Sequence, residues 1–261
     1  MKNKVLVVFG GKSDSAVYHS IIKLLKKEAV DFDLHICSAH KTPDRVDSVL
    51  KGDYKVIIAG AGLAAHLPGV IASKTIKPVI GVPCNGAFDG LDAFLSMVQM
   101  PSGIPVLSVG VENVDGAANS ALLIAKRDFK GIALIYEKLS PALEKCRKSL
   151  DELAVPYVEG KTRQEELINI EFVQLGKEII NEKGKLTIYC PVAEKTSSND
   201  ALKFLKQSNI GLFVGINRGD NAAIAAIEIL GLDKKINHYR KMLADKIIED
   251  DREEEKCSHG I

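Results

Sequence analysis

The sequence predicts a doubly wound α/β fold, on two observations. Apolar runs of strand length alternate with amphipathic stretches of helix length through the first 130 residues, and the turns after the early strands are rich in glycine. The opening run Val5 to Phe9 is apolar throughout, as befits a strand covered on both faces. It is followed by the loop Gly10-Gly11-Lys12-Ser13-Asp14 and a helix whose Val17, Ile21, Leu24 and Leu25 share one side. Phe32 to Cys37 is the second strand, and Thr42-Pro43-Asp44 caps a helix with proline in its first turn. Lys55 to Ala59 is the third strand, leading through Gly60-Ala61-Gly62 into a helix near Ala64 to Lys74. The remaining units are a strand at Pro78 to Val82, a helix at Gly90 to Met100, a strand at Pro105 to Val111 and a helix at Ala117 to Lys126. In such a sheet ligands bind beyond the carboxyl ends of the strands, and the loops at 10–14, 38–43 and 60–69 all fall there.

The second half resembles the first in outline. Lys77 to Pro83 can be laid on Lys185 to Pro191, and Val109-Gly110-Val111 on Val214-Gly215-Ile216. Ala29-Val30 similarly matches Ala154-Val155, and Ala118-Asn119 matches Asp220-Asn221 as helix openings. Likeness between any two α/β halves would give part of this; duplication accounts for all of it. The copy is shortened and its loops are altered: Glu137-Lys138-Leu139-Ser140 stands for the glycine loop, and Gly160-Lys161-Thr162 for His40-Lys41-Thr42. It is therefore expected to be non-catalytic. Asn237 to Asp251 reads as a long terminal helix ending in a solvated acidic run.

Composition narrows the function. The 261 residues suit two domains or one enlarged one, and 35 basic against 34 acidic groups give a formal charge of +1, which argues against a dedicated nucleic-acid binder. No apolar run reaches the ~20 residues of a membrane span. Five scattered cysteines without a CxxC pair suggest reduced thiols, hence a cytoplasmic protein. No HExxH or HxH spacing suggests a metal, no GxSxG elbow suggests a serine nucleophile, and neither a Walker loop nor GxGxxG is present.

Three loops carry candidate chemistry. Gly10 to Asp14 offers bare N–H groups and the Ser13 hydroxyl to a phosphate, although a tight turn explains the glycines equally well. In Ser38-Ala39-His40-Lys41-Thr42-Pro43 a histidine able to exchange a proton near neutral pH sits beside a lysine able to neutralise an anion; an exposed loop is the alternative. The run from Ala59 to Gly69 packs tiny residues around His66, as a wall against which a flat ring or very small molecule fits. Close packing would explain its glycines but not the histidine. His19 and His35 read as structural.

Taken together, Gly11 to Asp14, Ser38 to Pro43, Ala61 to Gly69 and the Gln99-Met100-Pro101 to Pro105 run resemble the purine-biosynthesis family PurE over about residues 3 to 130. That family comprises N5-carboxyaminoimidazole ribonucleotide (N5-CAIR) mutase and aminoimidazole ribonucleotide (AIR) carboxylase. The resemblance implies a three-layer flavodoxin-like fold at 1–130, with a degenerate second copy at 131–261. It also implies octamers of single domains, so that a two-copy chain would form a tetramer, and a reaction needing neither metal nor organic cofactor. His40 matches the catalytic acid and base. Ser13, Asp14, Ser38 and Lys41 match positions holding ribose and phosphate, and Ala61, Gly62, His66 and Leu67 match the wall beside the imidazole and carbon dioxide. The chain departs from the family at Gly11, usually a phosphate-binding serine; at Lys41, usually arginine; and at Leu63, commonly glycine. The expected activity is conversion of N5-CAIR to 4-carboxyaminoimidazole ribonucleotide (CAIR). The alternatives are direct carboxylation of AIR by carbon dioxide and a non-catalytic nucleotide-binding protein.

Overall fold

The computed structural model describes residues 3–180 and 182–258. Its first half runs β1 (Val5–Phe9), α1 (Ser15–Lys27), β2 (Phe32–Ile36), α2 (Pro43–Val49), β3 (Val56–Ala61), α3 (His66–Lys74), β4 (Val79–Pro83), α4 (Leu91–Val98), β5 (Leu107–Ser108) and α5 (Val114–Lys126). The second runs β6 (Ile132–Tyr136), α6 (Pro141–Glu152), β7 (Tyr157–Gly160), β8 (Ile168–Gln174), β9 (Thr187–Val192), α7 (Ser198–Gln207), β10 (Leu212–Phe213), α8 (Gly219–Ile229) and α9 (Asp233–Ser258).

Both halves feed a single sheet of order β2-β1-β3-β4-β5-β10-β9-β8-β6-β7. Each half thus has the strand order 2-1-3-4-5 of a flavodoxin-like sheet, the second in mirror sequence. All pairs are parallel except the junction, where Phe213 lies antiparallel to Ser108. The first copy and its degenerate second copy thus share one sheet. The offset that lays Val109 on Val214 also lays Ser108 on Phe213, so the copies meet about a local two-fold axis.

The duplication holds hydrogen bond by hydrogen bond. Val109 N–H donates to Gly81 O (3.0 Å) as Val214 N–H does to Tyr189 O (3.1 Å), and Glu112 N–H donates to Pro83 O as Asn217 N–H does to Pro191 O, both at 2.8 Å. Glu112 and Asn217 share the left-handed backbone, as do Ala29 and Ala154 at the ends of α1 and α6. In this register Asp115 lies on Asp220 and Gly116 on Asn221, which corrects the pairing of Ala118-Asn119 with Asp220-Asn221.

Alternation along the strands divides the core. Val5, Val7 and Phe9 face α1 and α5, whereas Leu6 and Val8 face α2, α3 and α4. Among the described residues the second copy has no helix directly after β7 or β8. Its β8 shows why it tolerates this: Ile168, Ile170 and Phe172 point into the core, while Asn169 and Glu171 face the other side and are satisfied there by loops. Among the described residues no helix is long and apolar enough to cross a membrane.

Candidate active site

Register brings the three loops to one level. Phe9 at the end of β1 pairs with Ile36 of β2 and with Gly60 of β3. A Cβ on Gly60 would lie 2.1 Å from the Phe9 ring, so only glycine lets the strands keep this packing. Gly10 N–H donates to Gly60 O at 3.0 Å, and Cys37 N–H to Phe9 O at 3.0 Å, tying the exits of all three strands together.

After β1 a 3₁₀ turn at Lys12–Asp14 leads into α1. Ser13 Oγ donates to Asp14 Oδ1 at 3.0 Å. Gly11 has φ −162°, extended backbone open to any residue, so its departure from the family subtracts a hydroxyl and answers no conformational need. After β2 the chain closes on itself. Ser38 N–H donates to Thr42 Oγ1 (2.9 Å), Thr42 N–H donates to Ser38 O (2.9 Å), and Lys41 N–H donates to Ser38 Oγ (3.2 Å). This turn projects His40 and the Lys41 side chain outward, both exposed.

After β3 the backbone turns sharply through Leu63 (φ 54°) and Ala65 (φ 33°) before α3 begins at His66. Leu63 thus sits in the left-handed region that its glycine counterpart would occupy without strain. The helix begins two residues later than expected because these turn residues are not helical. His66 Nδ1 lies 3.0 Å from His40 Nε2, with the rings edge to face at 5.0 Å between centroids. Ala61 ends β3 as a buried residue, Gly62 follows half-buried, and Leu67 points into the core, so what Leu67 can offer a ligand is backbone.

The sequence reading missed the wall beyond β4. Asn85 N–H donates to Glu112 Oε1 at 3.1 Å, and Phe88, Asp89 and Gly90 are all left-handed, with Phe88 77% exposed. The Asn85-Gly86 dipeptide was the available signal for a turn there. Beneath them the Cys84 thiol is pushed up by burial, and further by the Asp14 and Glu112 carboxylates, so it is not a nucleophile at neutral pH. Among the described residues no group of three or more His, Cys, Asp or Glu side chains could hold a metal ion. His19 lies on α1 against Tyr18, and His35 within β2.

The corresponding crevice of the second copy, at the ends of β6, β8 and β9, is a cavity of about 1000 Å³ lined by Glu137 to Pro141, Phe172 to Leu175 and Val192 to Lys195. No histidine lines it.

The family model described as AIR carboxylase matches residues 4–157. Among curated relatives, N5-carboxyaminoimidazole ribonucleotide mutase of Methanocaldococcus jannaschii is 44% identical over 147 residues, 56% of this chain and 92% of that protein. The enzymes of the same name from Brucella melitensis and Escherichia coli are 43% and 45% identical, over 58% and 47% of this chain and 94% and 75% of theirs. The crystal structure of Treponema denticola PurE matches with 30% identity and a TM-score of 0.39, over 45% of this chain and 77% of that one.

Proposed function

Because the chain belongs to the AIR carboxylase family, we propose that it is the mutase of purine biosynthesis that converts N5-CAIR to CAIR. The observation that carries the assignment of its active site is the imidazole pair, His40 Nε2 to His66 Nδ1 at 3.0 Å, standing between the exits of β1, β2 and β3.

In this reading His40 is acid and then base. The carbamate N–C bond breaks, carbon dioxide departs, and the exocyclic nitrogen takes a proton from His40. The electron-rich ring carbon then attacks carbon dioxide to form the C–C bond, and its proton passes to His40, which restores both the aromatic ring and the starting imidazolium. Holding the gas beside its acceptor avoids the entropy of a second encounter. His66 orients the His40 ring through the shared hydrogen bond. The wall at Ala61 and Gly62, with the backbone of Leu67, lies against the imidazole of the substrate. Ser13, Asp14 and Ser38 hold the ribose and phosphate beside Gly11, with Lys41 as the countercharge.

The catalytic unit is residues 1–130, and 131–261 is non-catalytic, a division supported by the missing helices. In the first half, the segments that open α2 and α3 carry His40 and His66; among the described residues β7 to β8 and β8 to β9 have no helices to carry their equivalents. A two-copy chain with one active half fits a tetramer in the cytoplasm, which light scattering tests: a monomer would refute it. Purified protein given N5-CAIR should form CAIR. Efficient carboxylation of AIR at modest bicarbonate, without conversion of N5-CAIR, would assign the chain to direct carboxylation instead.

A further inference from the structure

Helix α3 is gripped from two sides by residues of the second copy. On one side stands Asn221, 1% exposed, at the start of α8. Its Oδ1 accepts from Gly103 N–H (2.9 Å), and its Nδ2 donates to Pro101 O (2.9 Å) and Met100 O (3.3 Å), so the amide is fully engaged by the Gln99 to Pro105 loop. Ser102 Oγ adds a bond to Asp220 Oδ2 at 2.7 Å. The loop so held places Met100 Sδ 3.3 Å from where a Cβ would stand on Gly69, in the first turn of α3.

On the other side Arg240 of α9 reaches the far end of the same helix. Its Nη1 donates to the carbonyls of Ala72 (2.8 Å) and Thr75 (2.5 Å), satisfying acceptors that a helix end leaves open. Its Nη2 pairs at 2.7 Å with Glu228, whose side chain is 2% exposed. A pair this buried adds little stability over apolar residues of the same volume, but it fixes where its partners lie.

We propose that Asn221 and Arg240 are positioning residues for the reaction: together they fix α3 and thereby hold His66 within hydrogen-bond reach of His40. The second copy is thus a brace for the catalytic half. The inference rests on the roles given to the two histidines above. The lever is short. A nine-residue helix spans about 13 Å, so a tilt of about 5° about its far end moves its first residue by about 1 Å, enough to lose a 3.0 Å contact. The His66 side chain is itself exposed, so its ring has no packing of its own and follows the helix.

The test compares Asn221→Ala, and the fold-sparing double replacement Glu228→Leu with Arg240→Met, in the native and His66→Phe backgrounds, the latter keeping a ring but no hydrogen-bonding nitrogen. Val155→Ala, buried in the second copy outside both grips, serves as the control for general destabilisation. Each positioning variant should lower kcat for N5-CAIR about 2- to 10-fold, the range for one hydrogen bond, with KM nearly unchanged. The factor should shrink below about twofold once His66 is already Phe, and Val155→Ala should leave kcat at the native value. Equal losses in both backgrounds, or a control that loses as much, would overturn the proposal. The imidazole ¹⁵N signals of His66 give a readout independent of turnover: they should move in both positioning variants, and unmoved signals in folded protein also overturn it. Absence of conversion by the native protein would instead defeat the mutase reading, with the ¹⁵N signals still deciding the positioning role.

Discussion

Replacing the two histidines singly and together separates their roles by magnitude. Asparagine keeps an amide near the ring's first nitrogen but cannot exchange a proton, so His40→Asn removes the acid and base while leaving the Ser38–Thr42 turn, which is held by its own hydrogen bonds. General acid-base catalysis contributes about 10²- to 10⁴-fold, or about 2.7–5.5 kcal/mol of transition-state stabilisation. His66 contributes one hydrogen bond at 3.0 Å between exposed rings, made by its first nitrogen, a net term of about 0.5–1.5 kcal/mol, so His66→Phe, which has no nitrogen, should cost about 2- to 12-fold. If the orienting bond acts only through His40, the double variant should be no slower than His40→Asn alone, because groups that work as a unit are not additive. Initial rates of CAIR formation at saturating N5-CAIR measure all three. A larger loss for His66→Phe than for His40→Asn would exchange the roles, and additive losses would show that the rings act independently.

Lys41→Arg should lower KM several-fold with kcat unchanged, because a guanidinium grips phosphate in two places where an ammonium is a point charge; an unaltered KM removes Lys41 from the phosphate site. Gly60→Ala drives a methyl to within 2.1 Å of the fully buried Phe9 ring, an overpacking of about 1–3 kcal/mol that should lower the melting temperature by about 2–12 °C. Unchanged melting would mean that the strand exits are not packed as described. Asp33 is held below the usual carboxylate range first by Lys4 at 2.7 Å and then by the Tyr54 hydroxyl at 2.8 Å. Its contribution is therefore present above the unfolded value near 3.9 and lost as pH falls through the lower folded value. Asp33→Asn should flatten the decline of melting temperature below about pH 4, and an unchanged acid limb would contradict this.

What could be read from the sequence was what is local. The continuous apolar run of β1 marks a strand covered on both faces. The loops at the strand ends were likewise legible, since composition marks them. Boundaries failed where tertiary pairing decides them: Pro105 to Val111 reads as seven strand residues, but only Leu107–Ser108 pair, both with β4 and Ser108 alone with β10. Nothing near Asn221 in the chain announces its hold on Met100, Pro101 and Gly103, more than a hundred residues away. The His40–His66 contact was foreseeable only as two histidines at strand exits on the same edge of the sheet; their facing rings, across the exit of β1, depend on the left-handed turn at Leu63 and Ala65.

The pattern of loss in the second copy bears on why it persists. A copy that had merely decayed would lose structure without regard to which face meets the first half. Instead the helices after β7 and β8 are missing among the described residues, while the junction strand β10 and the helices α7 and α8 remain. Those retained parts meet the first half directly: Phe204 of α7 stacks edge to face on Phe94 of α4 at 4.9 Å, and Phe213 of β10 pairs with Ser108. Without β10, the edge at β5 would expose unpaired backbone groups and invite association with any passing strand. The copy therefore keeps what covers that edge and what bonds the end of α3, and among the described residues it lacks the helix openings that would place a second pair of histidines.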